Sequence, residues 1–317
     1  MAEGERVSTV PLVSLITINY NQAKVTCDLL ESTRNLTYPR FETIVVDNGS
    51  AEDPTDLIER GHYPNVKVVV SRENLGFSGG NNLGLRHASG AYFFMLNNDT
   101  VVTPDLIEQL LAPFAADPQV GLVCPKIRYF DHPTVIQYAG YYPLNPYTGR
   151  TWAIGLHETD QGQHDTSGPT AFAHGAAMMV SRRAIEVAGA MDESFFLYYE
   201  ELDWSMQIRR AGFRIYYQAS ALIYHKESIS VGKTNPMKVY YNTRNRLLFM
   251  RRNVSGFPLL VFYLFYFTVA LPKAALVYAL RRQNDYLKAL RRAVVWNLTH
   301  KVRRPAKAGP AVVADIH

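Results

Sequence analysis

The sequence predicts an α/β fold: a mostly parallel central sheet flanked by helices, followed by a hydrophobic and basic helical extension. Three observations carry this. Nearly continuous apolar runs, suited to strands covered on both faces, alternate with amphipathic stretches over residues 12 to 97. These strands end in polar residues, on the side where open parallel sheets bind ligands. From Arg244 onward 14 Lys/Arg face only Asp285 and Asp315, whereas residues 1 to 243 carry 19 Lys/Arg against 26 Asp/Glu.

VSLITINY is the first strand, and QAKVTCDLLESTRN the helix after it. FETIVVD is the second strand, closed by Asn48-Gly49-Ser50; DLIERG is a short helix and VKVVVS the third strand. GGNNLGLRHAS is helical and AYFFML is the fourth strand, which completes a run of βαβ units. Thr103-Pro104-Asp105 opens the helix LIEQLLAPFAAD, which leads into the strand VGLVCPKI. Residues 128 to 173 are rich in Tyr, Pro, Gly, Thr and His with weak periodicity, as in a functional or mobile stretch. GAAMMVSRRAIEVAGA is a strand running into a helix. In MDESFFLYYEELDWSMQIRRAGF, the acids Glu200, Glu201 and Asp203 start a helix that runs to Arg210 and stops at Gly212.

At 47% hydrophobic composition, 317 residues supply a substantial core, which excludes global disorder. Cys27 and Cys124 are too few for a disulfide framework and lack zinc-site spacing, so both are expected to be small buried side chains in a reducing compartment. The N-terminus is acidic where a signal peptide is basic, so secretion is not indicated. Gly76, Gly79, Gly80 and Gly84 never form GxGxxG and follow the third strand, which excludes a dinucleotide fingerprint; they suit a tight turn and close helix packing. The basic tail suits nucleic acid, a membrane or a phosphorylated substrate. NVSGFPLLVFYLFYFTVALP, residues 253 to 272, decides for the membrane, because an uncharged run of that length spans a bilayer or lies on it. Leu287, Leu290, Val294 and Leu298 then recur at helical spacing beside Lys288, Arg291 and Arg292, as on an acidic lipid surface. A core hairpin or a dimer interface is the alternative.

Four polar strand ends gather at one edge: Asn19-Tyr20-Asn21, Asp47-Asn48, Glu73-Asn74 and Asn97-Asn98-Asp99. Three carboxylates beside Tyr198, Tyr199 and Trp204 suggest a second cluster.

SLITINYN, TIVVDNGS, ENLGFSGGNNLGL, YFFMLNNDT, MDESFFLYYEELDWSMQIRRAGF, the histidine of IYHKES, and YYNTRNRLLFMRRN occur in that order. Together, over residues 11–253, they resemble the inverting GT-A glycosyltransferases of family 2, in the bacterial rhamnosyltransferase-like branch. The resemblance implies a nucleotide-diphospho-sugar transferase fold with a nucleotide-sugar-binding half (11–125) and an acceptor and catalytic half (126–253). A tail (1–10) precedes it; a membrane-associating segment (254–300) and a flexible tail (301–317) follow. In such enzymes a DXD-like motif ends the fourth strand. Here it is Asn97-Asn98-Asp99, with Asp99 and His225 as implied ligands of Mg²⁺ or Mn²⁺. The donor side is Tyr20, stacking near the nucleobase read by Asp47, with Asn74 and Asn98. Asn81 stands where relatives carry a diphosphate-binding arginine, which leaves Arg244 and Lys233 for phosphate or for a membrane-facing positive patch. The family's Glu-Asp-x-Asp becomes Glu200-Glu201-Leu202-Asp203. Glu201 is the implied base, its extra methylene lengthening the reach by about 1.5 Å. Asp203, roughly 200° around the helix, supports it or orients the acceptor; Glu200, Tyr199 and Trp204 line the acceptor side.

The implied activity is metal-dependent, inverting sugar transfer in cell-surface polysaccharide synthesis, with deoxythymidine-linked rhamnose favoured and UDP-hexoses open. The acceptor is a glycan or a lipid-linked saccharide at the cytoplasmic face of the membrane; no nucleic acid is implicated. A catalytically silent sugar-nucleotide or glycan-binding subunit of a membrane assembly is the alternative. A nucleotidyltransferase would need a basic glycine-rich loop after the first strand, where NYNQAKVT has no glycine.

Overall fold

The computed structural model describes residues 10–226 and 235–302. Residues 1–9 of the expected N-terminal tail, Lys233, and residues 303–317 of the expected C-terminal tail lie outside the described residues. β1 (Val13–Asn19) pairs in parallel with β2 (Phe41–Asn48) and with β4 (Tyr92–Leu96), and β3 (Val66–Ser71) adds to β2. Helices α1 (Ala23–Thr33), α2 (Thr55–Arg60) and α3 (Gly76–His87) connect them. The apolar runs are fully covered: Val13, Leu15, Ile16, Ile44, Val45, Val46, Phe94 and Met95 are all buried.

Beyond β4 the sheet continues through β9 (Ala177–Ser181), β6 (Val120–Tyr129), β10 (Arg214–His225) and β5 (Thr100–Val102). β9 is antiparallel to both neighbours, while β6 and β10 run parallel, so the sheet is mostly parallel with one reversed interior strand. β5, three residues long, pairs antiparallel with β10 in a register that sets His225 opposite Thr100. Helices α4 (Leu106–Ala116), α5 (Arg182–Ala188), α6 (Glu200–Arg210) and α7 (Pro236–Asn253) complete the domain.

The glycine-rich stretch is a close-approach device. Gly76 has φ +71°, and a Cβ there would meet the Phe196 carbonyl oxygen at 2.4 Å; a Cβ on Gly84 would meet Ile16 Cγ2 at 2.3 Å. Only glycine lets α3 lie this close to the sheet and to the loop before α6.

The stretch from 128 to 173 departs from a mobile loop. It carries β7 (Ile136–Tyr138) on β6, β8 (Gly168–Pro169) on β10, and bridges Tyr141 to Ala153 and Asn145 to Arg150. The buried Lys126 Nζ reaches Asp160 at 3.0 Å, and Arg128 bonds the same carboxylate at 2.5 Å. Such long-range pairing has no periodic signature. Cys124 is buried, whereas Cys27 is only half-buried.

The C-terminal segment differs in two ways. α8 (Gly256–Leu280) does not end at Pro272 but continues to Leu280, because a π-turn at Tyr266–Ala270 loosens the ladder just where the proline lacks an N–H. α9 (Asn284–Thr299) is amphipathic as expected, but Leu290 is buried and Val294 packs on a second core, so these two face protein rather than lipid. Leu298 remains 77% exposed. That second core joins Phe172, Phe195, Leu247, Phe249, Phe262 and Tyr266, and so ties α7 to α8.

Candidate active site

The sheet register builds the first half of the site. Pairing of β5 with β10 brings Asp99, one residue before β5, to His225 at the end of β10: Nε2 lies 3.1 Å from Asp99 Oδ1, and Lys226 N–H donates to the Asp99 carbonyl at 2.9 Å. Pairing of β6 with β7 delivers Gln137, whose Oε1 is 2.8 Å from His225 Nδ1. A carbonyl oxygen only accepts, so Nδ1 is the donor to Gln137, and Nε2 is the ring atom that faces the Asp99 carboxylate. A carboxylate and an imidazole oriented by a buried amide form a donor set that fits Mn²⁺, and Mg²⁺ less well. Among the described residues no group of three or more His, Cys, Asp or Glu could hold a metal, so Asp99 and His225 stand here as a pair. Gln137 was invisible in the sequence, since nothing local links it to His225.

Behind this pair runs a hydrogen-bonded chain across the strand ends. Asn98 Nδ2 donates to Thr26 Oγ1 at 3.1 Å, Thr26 to Asn19 Oδ1 at 2.8 Å, and Asn19 Nδ2 to Asp47 Oδ1 at 2.8 Å. Ser50 Oγ also donates to Asp47 Oδ1 at 2.6 Å, and Ser50 N–H to Oδ2 at 3.2 Å. Asp47 and Asn98 thus belong to one buried network. Tyr20, just past the end of β1, is 42% exposed. Asn74 makes a turn, its Oδ1 accepting from Gly76 N–H at 2.8 Å. Asn81 is buried in α3 and donates back to the Phe77 carbonyl at 3.0 Å.

The second half is the first turn of α6. Glu201 sits beside Gly175, where a Cβ would come within 3.9 Å of Glu201 Cγ. Ser205 fixes this approach by donating to the Glu201 carbonyl at 2.6 Å and accepting from Ala173 N–H at 3.0 Å. Burial pushes the Glu201 carboxyl up to about 7, against the opposing pull of backbone N–H groups at the helix start. Its neighbour Glu200 is raised further, first by burial and then by the charge of Glu201, and Glu200 Oε2 has no hydrogen-bond partner among the described residues. One carboxyl of the pair is neutral while the other titrates near neutrality.

His174 joins the two halves. Its Nδ1 accepts from Ala176 N–H at 3.1 Å, and its ring centroid lies 6.4 Å from that of His225. Burial, then the neighbouring His225, holds it down to about 3, so it is a neutral ring with Nε2–H as donor. Together with Gln137, Tyr141, Thr151, Trp152 and Leu156 it lines a cleft of about 280 Å³. Burial raises the Tyr141 phenol, and so does the charge of Glu201. Trp152, 54% exposed, forms its rim.

Three expectations need correction. Trp204 is 1% exposed and donates to the Gly189 carbonyl at 2.9 Å; its indole is core and offers no surface to an acceptor. Asp203 points away from Glu201, as its place around the helix predicts, into a bidentate pair with Arg252, at 3.0 and 3.1 Å; it anchors α6 to α7, which fits a supporting role and not an acceptor-orienting one. Arg244 is neither on a phosphate path nor on a membrane face. It is buried and donates to the Phe195 carbonyl at 2.8 Å and to Asn245 Oδ1 at 2.7 Å. Asn245, which the sequence did not single out, bonds the carbonyls of Phe195, Leu197 and Tyr198, each at 2.7 Å. This clamp holds a loop in which Phe196, Tyr198 and Tyr199 all have positive φ, a conformation unfavourable for side chains of that size. Tyr199 packs against the second core with its ring 5.7 Å from Phe249.

Residues 14–188 match the family described as Glycosyl transferase family 2. Low-salt glycan biosynthesis hexosyltransferase Agl10 of Haloferax volcanii is 27% identical over 245 residues, 74% of this chain and 74% of that protein. N-acetylglucosaminyl-diphospho-decaprenol L-rhamnosyltransferase of Mycobacterium tuberculosis is 23% identical over 77% of this chain and 86% of its own length. Among solved structures, the mannosyltransferase PcManGT of Pyrobaculum calidifontis, in complex with GDP-Man and Mn²⁺, superposes with a TM-score of 0.57 at 19% identity, covering 92% of this chain and 88% of that one. The fold is therefore GT-A.

Proposed function

Because the chain belongs to glycosyl transferase family 2, we propose that it moves a rhamnose or hexose from a nucleoside-diphosphate donor to a glycan or lipid-linked saccharide, with inversion, at the cytoplasmic face of a membrane. The observation that carries this reading is the place of Glu201 at the start of α6, beside Gly175, the chain neighbour of the cleft residue His174, with burial pushing its carboxyl up to about 7. A general base is most effective when it titrates near the working pH. The acceptor hydroxyl loses its proton to Glu201 as its oxygen bonds to the anomeric carbon, and the bond to the nucleoside diphosphate breaks on the opposite face. Glu200 stays protonated beside it. Asp99 and His225 would hold Mn²⁺ or Mg²⁺, which offsets charge on the leaving diphosphate. Asp47 and Tyr20 face the nucleobase, and the cleft of Tyr141, Trp152 and His174 takes the acceptor sugar, with aromatic faces for stacking and the His174 N–H for a hydroxyl.

The name of the mycobacterial relative supports a lipid-linked acceptor and a rhamnose donor, and that of the haloarchaeal relative a hexose. The test is release of nucleoside diphosphate from deoxythymidine-linked rhamnose and from UDP-hexoses, with and without Mn²⁺, in the presence of a polyprenyl-diphosphate saccharide. Glu201→Gln should abolish transfer and keep the thermal stabilisation given by the donor. Undiminished turnover in that variant sinks the assignment, and donor stabilisation without release in the wild type would favour the silent-subunit alternative.

A further inference from the structure

α8 has the length of a membrane span, but its packing contradicts a transmembrane path. Its 25 residues reach about 37 Å at helical rise, more than the hydrocarbon thickness of a bilayer. Yet Phe262 and Tyr266, in the first half and near the middle of the helix, are sunk in the second core against Phe172, Leu247 and Phe249. Arg246 stacks its guanidinium 5.2 Å from the Tyr266 ring and donates to the Thr148 carbonyl. A span would carry the helix midpoint, and that charged group with it, to the centre of the bilayer. The return path agrees. After Arg281 and Arg282 the chain turns directly into α9, which lies back on α7; Asn297 Nδ2 donates to the Arg244 carbonyl at 2.9 Å, and Arg251 donates to the Asn297 carbonyl at 2.5 Å. The chain that leaves α8 therefore returns to α7 within the single helix α9.

The outer face is continuous and apolar. Phe257, Leu260, Leu264, Phe267, Leu276 and Leu280 are all exposed, Leu264 at 65%. At 100° per residue Leu276 and Leu280 would lie roughly 100° to 140° from Phe257; the extra residue of the π-turn brings both to within roughly 40° of it. The irregularity at Tyr266–Ala270 thus keeps one stripe facing one way over the whole length. Exposed cations occur on the same helices and the turn between them: Lys273, Arg281 and Arg282, then Lys288 and Arg291 on α9, with Arg292 over the Tyr240 ring of α7, against the single acid Asp285.

We infer that α8 is an in-plane anchor, which sinks this stripe into the headgroup and acyl boundary of an anionic membrane while the cations engage lipid phosphates. An apolar stripe with flanking Lys and Arg has the chemistry of an interfacial helix. The catalytic cleft is then held at a fixed height over the lipid surface.

The experiment floats the full-length protein with vesicles of phosphatidylcholine and phosphatidylglycerol at seven to three, and with phosphatidylcholine alone. Binding is expected to the anionic vesicles and to weaken in 0.5 M salt. Leu260→Asp with Leu264→Asp should lower the partition coefficient roughly a hundredfold while melting remains cooperative. Both substitutions lie on solvent-exposed positions, so folding is preserved. In a Cys27→Ser background, Arg282→Cys on vesicle-bound protein should react with a membrane-impermeant maleimide without detergent. Labelling only after detergent means that the helix spans, and overturns the inference. So does failure to float together with concentration-dependent dimerisation that the double variant abolishes, which would make the stripe a contact between two copies.

Discussion

Glu201→Gln should make the protein inactive and more stable at the same time. Above pH 7 the wild type keeps a charge on a carboxylate whose site raises its pKa from the ordinary 4.5 to about 7. That difference corresponds to up to about 3 kcal/mol against folding. The folded protein holds a proton that the unfolded chain has already released between pH 4.5 and 7. Stability from this group is therefore highest below 4.5, falls through that window, and stays at its lower level above it. Glutamine keeps the shape and removes the charge. For a chain of this size each kcal/mol moves the melting temperature by roughly 2–4 °C, so the variant should melt up to about 6–12 °C above wild type at pH 8, the gap closing toward pH 5. Transfer should fall by about 10²–10⁴-fold, and wild-type kcat should itself fall about tenfold per pH unit below 7. Melts from pH 5 to 8 and nucleoside-diphosphate release over the same range read both effects. A variant less stable than wild type at pH 8, or a wild-type rate flat between pH 5.5 and 7.5, refutes the reasoning.

Three further outcomes follow from the site. Arg252→Met leaves Asp203 buried without its guanidinium and should cost about 3–5 kcal/mol in thermal unfolding; adding Asp203→Asn should recover much of this, and an unchanged melt for the single variant would show the pair to be idle. Asp99→Asn and His225→Ala should each remove Mn²⁺-dependent stabilisation by the donor, read by thermal shift, and retention in both would move the cation elsewhere. Asn245→Ala frees three loop carbonyls and should lower kcat more than it raises donor KM, since the clamp sets the loop that leads into Glu201 and not the nucleotide face; a pure KM effect would contradict it.

What the sequence disclosed and what it hid follow from the range of the interactions. β1, β2 and β4 are buried on both faces, so their runs are apolar and legible, and the carboxylates at Asp47, Asp99 and Glu201 stood out against them. The Asp99 and His225 pairing was expected from family resemblance, but its cause, the register of β5 on β10, was not readable, because a three-residue strand has no periodicity. Trp204 beside acids reads as an acceptor-side residue because adjacency in sequence does not distinguish a surface indole from a core one. On a helix the residue three positions after Glu201 need not share its exposure, and here it is core. Gln137, His174 and Asn245 reach the site through partners tens of residues away. Arg244 misled for the same reason: an arginine in a basic run suggests an anion, while its structural partners are carbonyls.

The boundary that the family resemblance places at residue 253 coincides with the switch from mixed to uncharged sequence, but the second core runs across it. Phe172, Phe195, Leu247 and Phe249 lie on one side, Phe262 and Tyr266 on the other, and all six are buried in one cluster. Burying an aromatic or large aliphatic side chain contributes roughly 1.5–3 kcal/mol. A chain ending at 253 therefore loses the burial of Phe262 and Tyr266 and also uncovers the α7 side chains they seal. α7 is the helix whose Arg244, Asn245 and Arg252 hold the catalytic loop and α6. Truncation should thus damage catalysis through the clamp, beyond any loss of membrane contact. The diagnostic comparison is between residues 1–253 and the full chain carrying Leu260→Asp and Leu264→Asp, both assayed on a soluble acceptor. The full-length variant should keep its turnover there and the truncated chain should not. Equal activity of the two would mean that the helical extension serves the membrane alone and that the core crossing residue 253 is dispensable to the site.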